Sequence, residues 1–176
     1  MRPTLATAAL IASLFLAPPV AAQDADSGMT LPRMGEIVMA LDENAQFTGS
    51  GFQFTIDDIP VLIVADARAN RMRAMVPIRA ADGLTAEELQ RVMQANFDSA
   101  LDARYAIANG RLWGTYIHPL RELQRDQLIS GIAQTVNVAK TYGTLYSSGA
   151  GQFGAGDSGD LQAELLERLL EQGEDI

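Results

Sequence analysis

The dipeptide Asn109-Gly110 constrains this chain more than any other feature. It stands between two runs of alternating character, Tyr105-Ala-Ile-Ala and Arg111-Leu-Trp-Gly-Thr-Tyr-Ile117. Both of its residues tolerate the positive φ of a type I′ turn, whose twist matches that of the strands it joins. A two-residue turn leaves one register. It sets Ile107 opposite Leu112 and Tyr105 opposite Gly114, with Tyr116 continuing that face, and puts Arg104, Ala106, Arg111, Trp113 and Ile117 on the other. The chain is therefore committed to an antiparallel hairpin.

The upstream residues extend the sheet. Met34, Ile37, Val38 and Leu41 recur at helical spacing and predict a helix from about Pro32 to Asn44, closed before Gly49-Ser50-Gly51. Phe52, Phe54 and Ile56 alternate with polar neighbours, as on a half-buried strand. Asp57-Asp58 form a turn, Val61 to Val64 a wholly apolar strand, and Met72, Ala74, Val76 and Ile78 one face of a third. Thr85 to Glu88 is a capping box, in which the Thr hydroxyl takes one free amide and the Glu returns to another. The following helix is expected to bury Leu89, Val92, Met93 and Phe97. A further helix beyond Pro119 carries Leu128, Ile132, Val136, Ala139 and Tyr146 on one stripe, with Gly149 as its stop.

Two weakly similar stretches emerge. Arg71 to Arg79, ending Pro-Ile-Arg, leads into the helix of Leu89, and Arg111 to Arg121, ending Pro-Leu-Arg, leads into the helix of Leu128. The predicted class is α+β: an antiparallel sheet of about five strands with helices packed on one face, in the order α-βββ-α-ββ-α. Residues 149–159, rich in Gly, Ser and Ala, read as a flexible linker between a domain at 31–148 and an amphipathic tail helix at 160–172. Leu161, Leu165, Leu166 and Leu169 stand on one face of that helix. An isolated helix of this length is marginal in water, so it needs its own domain, a second copy or a partner to dock on.

The first 22 residues have another purpose. Arg2 precedes an apolar stretch from Leu5 to Leu16, and Val20 and Ala22 occupy the small-residue positions of a cleavage site. This is the layout of a cleaved secretory signal peptide. The stretch is too short for a membrane span, which needs about 20 apolar residues. The absence of cysteine excludes lipid attachment at the cut, disulfides and thiolate chemistry. A periplasmic or secreted chain of one domain is expected, without stable membrane insertion. Its formal net charge of −9 speaks against nucleic acid as a partner, since that needs a basic surface.

The element order, with Asn109-Gly110-Arg111-Leu112 running through Tyr116-Ile117-His118-Pro119-Leu120 into Gln127-Leu128-Ile129, resembles the YbjN family of sensory-transduction regulators. That family is similar in fold to the type III secretion chaperones. The resemblance covers about Leu31 to Ser148. It implies a non-enzymatic protein that binds another polypeptide, often as a homodimer, with no catalytic residues to carry over. The signal peptide and the tail helix depart from the family, and the secretion counts against a role as a cytoplasmic chaperone of type III effectors.

Chemistry is sparse. His118 is the only histidine, and no triad or zinc site can be assembled around it from sequence. Asp57 and Asp58 read as turn formers rather than paired acids. Asp157, Asp160 and Glu164 lack the twelve-residue ligand loop of a calcium site. Neither catalytic residues nor cofactors are expected.

Two features can carry binding. Trp113, beside Ala106 and near Arg104 and Arg111, is either core beneath a helix or an aromatic–guanidinium patch of the kind enriched at interfaces. The leucine stripe of the tail, Leu161, Leu165, Leu166 and Leu169, is either docked on its own domain or an anchor set for a partner's groove. The reading is a protein-binding or chaperone-like module of the periplasm with a regulatory or stress-response role. The rival is an envelope hydrolase whose carboxylates the fold brings together.

Overall fold

In the computed structural model, residues 28–98, 101–143 and 158–173 are described; the residues read as a signal peptide, most of those read as a linker, and Tyr146 lie outside them. The chain opens with α1 (Leu31–Leu41), continues through β1 (Gln46–Phe47), β2 (Gly51–Ile56), β3 (Ile59–Asp66) and β4 (Arg71–Ala80) to α2 (Ala86–Asp98), then runs β5 (Arg104–Ala108), β6 (Arg111–His118), α3 (Arg125–Lys140) and α4 (Ser158–Gly173). The strands form one antiparallel sheet ordered β1-β2-β3-β4-β6-β5. The sixth strand, beyond the expected five, is β1, a two-residue pairing on the outer side of β2 that is too short to show as alternation.

The hairpins follow local chemistry. Asn109 and Gly110 have φ of 51° and 69°, and the register pairs Ile107 with Leu112, Tyr105 with Gly114 and Ala106 with Trp113. Asp57 and Asp58, with φ of 49° and 63°, make the equivalent turn between Ile56 and Ile59. Pro60 and Pro77 both fall outside the β3–β4 pairing, which spans Leu62 to Asp66 and Met75 to Arg71. The amide each lacks is therefore not demanded on that side, and a bulge follows Pro77.

All helices lie on one face. Phe52, Phe54, Ile56, Val61, Ile63, Met72, Ala74, Val76 and Tyr116 point into a core shared with Met34, Ile37, Val38 and Leu41 of α1 and with Leu128, Ile129, Ile132, Ala133 and Val136 of α3. The α3 helix sits very low on the sheet. A Cβ on Gly131 would fall 2.4 Å from Tyr116 Cε1, and one on Gly114 would fall 3.1 Å from the Thr135 carbonyl oxygen. Two glycines, one on each element, thus set the helix–strand distance. The stripe expected of α3 is a nearly continuous buried surface, since Ile129, Gln134, Thr135 and Asn137 are buried as well, because α4 covers the side away from the sheet. Its buried polar groups are satisfied. Gln134 Oε1 accepts from the Asp102 and Ala103 amides at 2.8 and 3.1 Å, and Thr135 Oγ1 donates to the Gly131 carbonyl at 2.6 Å. The helix stops at Lys140, with Gly143 at positive φ beyond it, earlier than the expected Gly149.

The α2 helix corrects one expectation. Its capping box is formed, the Thr85 amide donating to Glu88 Oε2 at 2.8 Å and the Glu88 amide to Thr85 Oγ1 at 3.1 Å. It buries Val92 and Ala95, however, and leaves Leu89, Met93 and Phe97 at 36%, 57% and 68% exposure. At about 100° per residue, these three lie roughly 60°, 100° and 140° around the helix from Val92, and exposure rises in that order. The helix is held in this rotation by Asn96, whose Oδ1 accepts from the Tyr105 amide (2.7 Å) and whose Nδ2 donates to the Tyr105 carbonyl (3.2 Å). That pair satisfies the outer edge of β5, which would otherwise stand open. Among the described residues, no helix is long and apolar enough to cross a membrane.

Candidate functional site

The other face of the sheet carries no helix. By register, it presents Leu62 and Val64 on β3, Arg71, Arg73, Met75 and Pro77 on β4, Arg111, Trp113, Thr115 and Ile117 on β6, and Arg104 and Ala106 on β5. Val64, Arg73 and Ile117 form one cross-strand row, and Leu62, Met75 and Thr115 the next. Ile117 is 54% exposed and Val64 42%. The two lie with Met75, Arg71 and Arg73 around a shallow depression of about 470 Å³. Four arginines stand on this face against one carboxylate, Asp66. The Asp66 Oδ1 is already accepting from the Arg68 and Ala69 amides at 2.8 and 3.0 Å. An acidic chain thus turns a basic and apolar surface outward.

Trp113 does not lie beneath a helix. The buried members of β6 are Leu112, Gly114 and Tyr116, and Trp113 lies half-buried on the opposite, helix-free face. Its Nε1 donates to the Ala108 carbonyl at 3.0 Å, and the Arg111 guanidinium carbon lies 6.0 Å from the ring centroid, at the outer limit for a cation–π contact. Arg104 shares the face by register but does not join the pair. Its guanidinium turns back to the carbonyls of Leu101 and Ala103. The hairpin register had already put Ile117 on the face of Trp113, but sequence reasoning missed Val64, Arg73 and Met75 as their companions, because only the order β3-β4-β6 brings them together.

The tail is placed differently from a free anchor set. Leu165 and Leu169 are buried in the main core, with Leu166 packed half-exposed against it, and the Leu161 side chain lies outside the described residues. These leucines are spent on their own domain. Arg168 Nη2 reaches both oxygens of Asp57 at 2.8 Å, and Lys140 Nζ donates to Asp57 Oδ2. The Lys140 hydrogen bond, with that of Arg168, holds the Asp57 carboxyl below the usual carboxylate range against the opposing effect of its partial burial. Asp57 is therefore a turn residue that also ties α3 and α4 to the β2–β3 hairpin.

A second cavity, of about 590 Å³, opens where β6 runs past β5 beneath α3 and α4, lined among others by Asp102, Tyr116, His118, Ser130, Gln134 and Leu166. It collects an acid, an imidazole and a hydroxyl, but not in the arrangement of a triad. That chemistry needs Nδ1–H on a carboxylate and a serine on the other ring nitrogen. Here His118 Nδ1 lies 2.8 Å from the Pro119 carbonyl, and Ser130 Oγ accepts from Gln134 Nε2 at 3.2 Å. The His118 ring stacks on Tyr116, centroids 6.0 Å apart. Burial, assisted by the Asp102 charge, pushes the Tyr116 phenol upward. Among the described residues, no group of three or more His, Asp or Glu side chains is placed to hold a metal ion.

The architecture is thus α+β, a six-stranded antiparallel sheet with four helices on one face. No family model matches the chain, and no curated protein matches it. Among solved structures it is similar to a chain in that of the Yersinia pestis type III secretion chaperone SycH in complex with a stable fragment of YscM2. That match has 14% identity, 62% of this chain and 98% of that chain covered, and a TM-score of 0.46. It is also similar to a chain of the HopA1–SchA chaperone–effector complex (11% identity, 62% and 94% covered, TM-score 0.46). A third likeness is to a chain of the ExsC–ExsE complex (13% identity, 51% and 71% covered, TM-score 0.42).

Proposed function

We propose that this chain is a non-enzymatic, chaperone-like protein-binding module of the periplasm, and that the helix-free face of its sheet is where a polypeptide lies. One observation carries the reading. Val64, Met75, Trp113 and Ile117 form an apolar surface that no element among the described residues covers, with Arg73 set between Val64 and Ile117 and with Arg71 and Arg111 towards its margins. A half-exposed tryptophan beside arginines is the composition of an interface hot spot. The arginines select a segment carrying Asp or Glu next to apolar side chains, and repel basic chains. The secretory layout of residues 1–22 supports the periplasmic location. The homodimer implied by the YbjN resemblance finds an apolar face of suitable kind on α2, where Leu89, Met93 and Phe97 stand exposed.

The test is site-specific photocrosslinking in the periplasm, with a benzophenone side chain at Met75 or Ile117 and, as the control, at Arg91 on the helical side. A polypeptide joined to the sheet positions and not to the control, and lost on combining Trp113→Ala with Arg73→Glu, is the expected result. Equal capture at all three positions, or capture indifferent to the two substitutions in a folded protein, would sink the reading.

A further inference from the structure

The α4 helix runs antiparallel to α3. Gln162, near its start, lies 3.4 Å from Asn137 near the end of α3. At the other end, Arg125 at the start of α3 donates to the Gly173 carbonyl at 2.9 Å. Antiparallel neighbours of this kind need roughly 2–8 connecting residues. The connection here is residues 141–157, rich in Gly, Ser and Ala from Ser147 onward. The connection is thus about twice as long as the docked position requires.

Its seat is narrow. Only Leu165 and Leu169 are fully inside the core. Gly173 lies flat on Ile129, where a Cβ would fall 2.7 Å from Cδ1. Leu166 and Leu170 pack half-exposed against the core, and the attachments at the rim are polar, chief among them the two-oxygen contact of Arg168 with Asp57. The walls of the seat, α1 and α3, are each fixed to the sheet by their own buried residues.

We propose that the groove between α1 and α3 is a helix-binding site whose resident occupant is the chain's own tail. In trans it takes an amphipathic helix from a partner, with leucine-like residues four apart and an arginine between them for Asp57. Charge fixes the orientation of the incoming helix, because Asp57 at the rim already holds Lys140 and presents both carboxylate oxygens to a guanidinium. The tail competes at the high effective concentration of a tethered ligand, so a free helix succeeds where it binds better than the tail or where the tail is weakened. This site is separate from the helix-free sheet face, and the failure of one reading leaves the other intact.

A labelled synthetic peptide spanning residues 158–173 tests the groove when titrated into the full chain and into the full chain carrying Leu165→Ala and Leu169→Ala. The weakened tail should let the peptide bind about tenfold more tightly or better, by removing the tethered competitor. The same peptide with Arg168→Glu should lose most of that gain. Equal affinity for the two proteins, or none for the folded double variant, would overturn the proposal. A second measurement needs no substitution. In hydrogen exchange on the intact chain, the amides of 158–173 should open at least about tenfold faster than those of 125–140, as a separate cooperative unit. Exchange of both helices in one step would make the tail a fixed part of the fold and end the argument.

Discussion

Replacing Gly131 by alanine pits two effects of opposite sign against each other, and the structure decides between them. In a helix interior, alanine is favoured over glycine by about 0.8–1 kcal/mol. The added Cβ, however, would fall 2.4, 2.5 and 2.8 Å from three carbons of the Tyr116 ring. That ring is buried and stacked on His118, so moving it aside, into the cavity that it lines, would break that stacking and its packing in the core. Overpacking of a filled site costs about 1–3 kcal/mol, and three sub-contact distances at once put this case at the upper end. The net expectation is a loss of about 2 kcal/mol after the propensity gain is set against the clash. Thermal unfolding followed by circular dichroism should show a Tm lower by about 4–8 °C for a domain of this size. Urea unfolding should show a reduced midpoint at unchanged slope. In a Tyr116→Leu background the ring edge is gone, and the same substitution should turn neutral or stabilising. The two sites would then be coupled by about 2–3 kcal/mol. A Gly131→Ala protein as stable as the parent, or a penalty that persists without the ring, would show that α3 does not rest on Tyr116 as described.

Asp57→Asn keeps a residue that tolerates positive φ in the turn while removing the charge that Lys140 and Arg168 share. At neutral pH it should cost about 1 kcal/mol, the upper end for partly exposed pairs. Because the folded-state pKa of Asp57 is lowered, its contribution is fully present above the unfolded value of about 3.9 and is lost as pH falls below that. Parent and variant stabilities should therefore converge in acid, and a gap that persists well below that pH would disprove the ion-pair account. Thr85→Ala removes the hydroxyl that accepts the Glu88 amide and should cost about 1 kcal/mol in urea unfolding; no loss would mean that α2 starts elsewhere. Met93→Ala with Phe97→Ala should change the stability of the monomer, at low protein concentration, by less than about 0.5 kcal/mol each, as expected of side chains exposed in the single chain. A loss of several times that, growing with protein concentration in sedimentation, would show that this face is covered in solution by a second copy.

What could be read directly from the chain was what neighbouring residues decide among themselves. The Asn109-Gly110 turn fixed the pairing and both faces of β5 and β6 down to individual residues. The Thr85–Glu88 box marked the start of α2, and the period of Met34, Ile37, Val38 and Leu41 marked the buried side of α1. What escaped depends on partners distant in sequence. The rotation of α2 follows Asn96 gripping Tyr105, and a count of large apolar residues at helical spacing picks Leu89, Met93 and Phe97 instead. The second role of Asp57 needs Lys140 and Arg168, 83 and 111 residues away. The aromatic–guanidinium pair of Trp113 and Arg111 was legible, since one strand holds both. Ile117 was placed on the same face by the hairpin register, but the extension to Met75 and Val64 was not legible, because that requires the order of three strands.

The apolar run Val61 to Val64 brings these threads together. A strand apolar at every position is the pattern of one covered on both sides, and only one side of β3 is covered by the helices described. Val61 and Ile63 are buried beneath them, while Leu62 is half-exposed and Val64 exposed. The outward residues of the neighbouring strands, Met75, Trp113 and Ile117, continue the same surplus. Solubility alone would favour charged or polar side chains at those positions, and the chain supplies arginines only beside and between them, as at Arg73. Apolar side chains interspersed with arginines are the distribution expected of a surface that spends part of its time against another polypeptide. It also accounts for a tail helix that docks on the opposite, helical side and leaves this one free.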